Sequence, residues 1–109
     1  MSNNVMTRWE SMRTDETRKV EELLRKEFPR SDAYRYNPAS IRVRVIDSRF
    51  KGRTPEQRDA LVEPLLGLLP EATQSDIVNL LTFYPDEVDH SLAAQMLNVE
   101  FEDPSPSGL

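Results

Sequence analysis

Arg42, Arg44, Arg49, Lys51 and Arg53 crowd one short stretch that ends at Thr54-Pro55. Five cations beside a helix start could bind an anion. The first N–H groups of a helix lack intrahelical partners, and the dipole there favours negative charge. Lys51-Gly52-Arg53-Thr54 stands at that mouth, and Arg42 and Arg44 would extend the basic strip along a strand. A plainer reading is a solvated loop in which Gly52 serves a turn and Thr54 only caps. Arg58 lies one turn into the same helix, and a bidentate bridge to Asp47 at the strand end is expected. His90 is the only histidine, with Asp86, Glu87 and Asp89 for neighbours. One imidazole among acids in a helix's first turn reads as dipole-favoured surface, so no metal is expected. No nucleophile, base and orienting acid stand at a recognisable spacing, so an enzyme is not expected. Trp9, with Met6 and Met12, either packs on the domain or anchors a partner, since Trp is favoured at interface hot spots.

Charge divides the chain. Residues 1–58 hold fourteen Lys/Arg against nine Asp/Glu, a net of +5, whereas residues 59–109 hold ten acids and no Lys or Arg, a net of −10. Such a basic segment meets an anion, an acidic partner, or the chain's own acidic half. The total of −5 argues against generic nucleic-acid binding but leaves a local patch open. With no cysteine there is no disulfide, thiolate nucleophile or thiolate-held iron–sulfur or zinc site, and no cofactor is expected. The opening residues lack a long apolar core or cleavage signature, and no apolar run reaches membrane-spanning length. A cytoplasmic protein without membrane contact is expected.

These residues need elements to position them. Thr14 followed by Asp15-Glu16 opens a helix whose apolar face is Val20, Leu23, Leu24 and Phe28, stopped by Pro29. Ala33–Asn37 reads as a short strand, and Asn37-Pro38-Ala39-Ser40 as a turn. Ile41, Val43 and Val45 alternate with Arg42 and Arg44, the period-2 mark of a half-buried strand. Thr54-Pro55-Glu56-Gln57 is a capping box opening a second helix, with Leu61, Val62, Leu65, Leu66 and Leu69 inward and a kink or break expected at Pro64. A turn or irregular piece over 71–76 leads to a buried strand, Ile77–Tyr84, and Pro85 opens a third helix to about Leu97. Leu97, Val99 and Phe101 alternate with polar residues, as an edge strand or a tail would. Residues 1–13 form a flexible or helical extension, 14–102 a single domain, and 103–109 a disordered tail. The order α-β-β-α-β-α predicts an α+β two-layer sandwich with Arg42 and Arg44 facing away from the helices. Ile41, Val43, Val45, Leu61, Leu65, Leu69, Ile77 and Leu81 are expected to share one core.

The middle of the chain resembles the BolA family, small domains with a fold like the KH RNA-binding module. The resemblance runs over about residues 41–87. It rests on an apolar strand ending in Asp47-Ser48, then Phe50, Gly52, Arg58 and Val62, and on Thr82-Phe83-Tyr84 before Pro85-Asp86-Glu87. The family has His directly after that Arg, where this chain has Asp59, and a second His where it has Asp76. The second His helps the family hold an iron–sulfur cluster with a monothiol glutaredoxin, so that function does not carry over. The KH-type GxxG loop is also missing. The resemblance implies the fold. For function, the expectation is a non-catalytic adaptor or regulatory domain that binds a protein partner. The alternative is a BolA/KH-like nucleic-acid binder using the basic strand–loop face.

Overall fold

A computed structural model describes residues 8–106, so the expectations that fall on Met6 and on 107–109 lie outside it. Thr14 caps α1 (Asp15–Arg25): its hydroxyl accepts from the Thr17 N–H at 3.1 Å, and Thr17 returns a bond to the Thr14 N–H. The helix buries Val20 and Leu24. β1 (Arg30–Asn37) and β2 (Ser40–Ile46) follow as an antiparallel pair, and Asn37 Oδ1 accepts from the Ala39 N–H within the turn. β1 begins earlier than its apolar alternation suggests, because Ser31 is buried with its hydroxyl donating to the Phe28 carbonyl.

α2 (Pro55–Leu66) starts at the expected capping box and runs through Pro64 for two further residues before it ends. The segment after Pro70, expected to be irregular, is a short helix, α3 (Glu71–Asp76). Together α2 and α3 carry the chain across to β3 (Ile77–Phe83), which pairs parallel to β2. The sheet order is β1-β2-β3, with Val78 an extra residue where the register shifts.

The fold is α+β, as its element order predicts. One sheet face packs on α1 and α2 through Val20, Leu24, Phe28, Ile41, Val43 and Val45, with Leu61, Leu65 and Ile77 half-buried against them. The other face, expected to be open, is covered. After α4 (Pro85–His90), residues 92–102 form a helix, α5 (Leu92–Glu102), rather than an edge strand or tail. Ala94, Asn98, Phe101 and Glu102 recur at helical spacing, and this face meets the sheet. Two members are polar because the sheet beneath presents Arg44, so hydrophobicity alone hides the period. Leu81 consequently packs on the α5 side, away from the core that holds Val43.

Leu24→Ala is expected to cost about 2–5 kcal/mol, the range for truncating a fully buried leucine. Urea unfolding measures it, and an unchanged midpoint would mean that α1 does not hold the sheet.

Candidate functional site

Period-2 geometry puts Arg42 and Arg44 on the same face of β2, and α5 then decides what they can do. Arg44 is only 5% exposed. Its Nη2 donates to Asp32 Oδ2 of β1 at 2.7 Å, and its Nη1 donates to Glu102 Oε2 and Asn98 Oδ1 of α5, each at 2.7 Å. The guanidinium lies 4.6 Å from the Phe101 ring centre and 5.6 Å from that of Trp9, within cation–π range. Its Nε is buried without a hydrogen-bond partner. Arg42 is less deeply held: it stacks 3.8 Å from the Tyr36 ring centre and donates to the Tyr34 hydroxyl and to Glu100 Oε1. Burial, opposed by the Arg42 bond, raises the Tyr34 phenol above its ordinary pKa. Both arginines expected on an anion-binding face are thus engaged within the domain.

The strand-end loop is likewise occupied. Asp47 caps the 3-10 turn Ser48–Phe50, accepting from the Arg49 N–H at 2.9 Å and from Arg49 Nε at 2.8 Å. Arg49 also reaches Glu27, through its carboxylate and its carbonyl, and lies over Phe28. The expected Arg58–Asp47 bridge does not form, because Asp47 is committed to its own turn. Arg58 instead donates to Glu87 Oε1 at 2.7 Å and to the Thr82 and Arg53 carbonyls, tying α2 to β3 and α4. Thr54 and Gln57 close their capping box, so few N–H groups at the α2 mouth are left for a ligand. Gly52 takes φ +77°, the left-handed turn that glycine favours. Lys51 and Arg53 stay exposed; Lys51 lines a cleft with Ser48, Tyr84 and Asp86, and the Arg53 guanidinium donates to the Arg49 carbonyl.

Trp9, read as a partner anchor or a packed residue, is packed: it contacts Tyr34 and Phe101 with ring centres 6.3 and 5.8 Å apart. The chain on either side of the expected 14–102 domain packs with it, since Pro104 is buried and the Tyr36 hydroxyl donates to the Ser105 carbonyl. His90 is exposed, and among the described residues no cluster of His, Asp and Glu is placed to hold a metal. No helix among them is long and apolar enough to cross a membrane.

Reading the sequence missed two features. The first is the outer face of α5, where Leu92, Met96 and Val99 recur at i, i+4 and i+7 and are 63–71% exposed. Their spacing was a usable signal, obscured by the competing period-2 alternation. The second is a groove of about 250 Å³ beside β3, walled by α2 at Pro55, Arg58 and Asp59 and by the start of α5. Asp59 makes no ion pair among the described residues; burial raises its carboxyl above the ordinary range, and Glu63 and Glu56 add to the rise. No family model, curated protein or solved structure matches the chain.

Two outcomes follow. Arg44→Ala removes three 2.7 Å bonds and leaves Glu102 without its cation, while Arg25 still pairs with Asp32, and should cost about 1–3 kcal/mol in chemical denaturation. A change within error would mean that α5 does not seal this bridge. Acid should separate three carboxylates. Hydrogen bonds from Thr73 and then Arg35 lower the Glu16 carboxyl, and bonding by Arg49 lowers that of Asp47. Their stabilisation is present above the unfolded carboxylate pKa, about 4, and is lost as pH falls through the lower folded values. Asp59 has the opposite sign: its folded pKa is raised, so its penalty grows as pH rises through that range. Asp59→Asn should therefore raise Tm at pH 7 and give no gain at about pH 3, where both states are protonated. Equal shifts at both pH values would contradict this assignment.

Proposed function

We propose that this chain is a non-catalytic adaptor or regulatory domain that binds a protein partner. One observation carries the reading. The large apolar side chains left exposed among the described residues are Leu68, Val78, Leu92, Met96, Leu97 and Val99, and all lie in the half that has no Lys or Arg. Leu92, Met96 and Val99 lie together on α5, and grouped exposed apolar surface marks interaction sites. The arginines that would serve phosphate instead face Asp32, Glu100 and Glu102.

The scaffold is proposed to be BolA/KH-like. Support comes from the α-β-β-α-α-β order of the elements from α1 to β3 and from the motif residues, of which Phe50, Arg58 and Val62 are buried and Gly52 makes the turn. These residues hold the fold together, so the likeness carries no ligand with it. The nucleic-acid alternative keeps only Lys51 and Arg53 as exposed cations without a carboxylate partner in the Arg42–Arg53 strip, unless α5 leaves the sheet.

Titration of single-stranded RNA at low salt is expected to produce no shift at high micromolar concentration. A partner captured from the native host should be a protein. RNA affinity that falls steeply with salt would overturn the reading, because that dependence reports phosphate contacts.

A further inference from the structure

The two edges of the sheet differ in chemistry. β1 carries Arg30, Asp32 and Arg35 along its length and an irregularity near Asn37, features that discourage another strand from pairing. β3 is Ile77-Val78-Asn79-Leu80-Leu81-Thr82-Phe83, without a charge, proline or glycine. Strand pairing occupies only its β2 side. The Phe83 carbonyl accepts from the Asp47 N–H on that side, at 2.9 Å. Alternate residues therefore present their main-chain groups to the opposite edge, and the Thr82 carbonyl does so, accepting from Arg58 Nη1 at 2.9 Å. Leu80 and the Thr82 N–H are the remaining pairing groups of that stretch, and they border the groove between α2 and α5. Ala93 and Ala94, small side chains, line its α5 wall. Leu97 of α5, 50% exposed, supplies an apolar contact in its lining, and Val78, 63% exposed, lies two residues before Leu80 on the same strand.

Charge selects the occupant. Arg58 is the only cation lining the groove and is bridged to Glu87, while Asp59 stands there with no counter-ion among the described residues. Glu56 and Glu63 lie close enough to perturb it. A second copy paired edge to edge would bring two such acidic α2 walls together. An extended segment with Lys or Arg brings the opposite charge.

We propose that the β3 edge is a strand-addition site for a basic, extended peptide segment of a partner protein. In it, main-chain bonds to Leu80 and Thr82 provide register, an apolar side chain meets Leu97, and a cationic side chain meets Asp59. This rests on the protein-binding reading and names the site and partner chemistry for it.

A phage-displayed random nonapeptide library, panned on the full chain, tests it. Enriched peptides should be net basic with apolar residues at alternate positions, and binding should slow hydrogen exchange at the Leu80 and Thr82 amides. Backbone N-methylation at alternate positions keeps the charge but removes donors, and should weaken binding about tenfold. Asp59→Lys should weaken it by about as much while the circular dichroism stays native. Equal binding of parent and N-methylated peptides would overturn the proposal, as would acidic peptides, no enrichment, or a dimer formed through β3. Peptides that protect the 92–99 amides instead would overturn the edge assignment yet leave the protein-binding reading standing, whereas salt-sensitive RNA affinity would remove that reading itself.

Discussion

The burial of Arg44 sets the terms for the rest of the structure. A guanidinium placed out of water costs several kcal/mol unless carboxylates and further hydrogen bonds surround it. Asp32 comes from the neighbouring strand, but Glu102 and Asn98 exist only if residues 92–102 fold as a helix over the sheet. Phe101 and Trp9 complete the enclosure from two sides. The position of α5, the packing of the segment before α1 and the loss of an open basic face all follow from satisfying this one cation.

The same logic recurs across the charge boundary at Arg58. Arg35 bridges Asp76, Arg42 bridges Glu100, Arg44 bridges Glu102 and Arg58 bridges Glu87, each joining the basic first half to the acidic second half. Within the first half, buried Glu21 gathers Arg13, Arg25 and the Ala33 N–H. Charge segregation that reads as an anion-binding surface is here largely internal complementarity. On β3 and α5 this leaves exposed apolar side chains, Val78, Leu92, Met96, Leu97 and Val99, with no Lys or Arg among the residues of either element. These bridges also place α2 and α5 on either side of the free β3 edge.

Elements governed by local chemistry were readable from sequence. Thr14 and Thr54 announce their helices through capping boxes, Gly52 its turn, and Ile41–Ile46 its strand through strict alternation. Tertiary electrostatics hid the rest. α5 turns Asn98 and Glu102 inward and Leu92, Met96 and Val99 outward, so its pattern contradicts the usual rule for a surface helix. Proximity to the strand end pointed Arg58 to Asp47, but Asp47 caps the 48–50 turn and Arg58 pairs with Glu87, 29 positions away. Of the candidate cations, Arg42 and Arg44 find partners more than fifty positions away in α5, beyond what spacing can report. The β3 edge was equally invisible, since a buried strand and an edge strand share an apolar composition.

Side-chain NMR of the arginines tests the central claim, that α5 seals the Arg44 guanidinium against the sheet. The account predicts resolved, slowly exchanging Arg44 guanidinium protons with nuclear Overhauser contacts to the Phe101 and Trp9 rings, while Arg53 shows a rapidly exchanging, averaged signal. An Arg44 signal as averaged as that of Arg53, with no ring contacts, would contradict it.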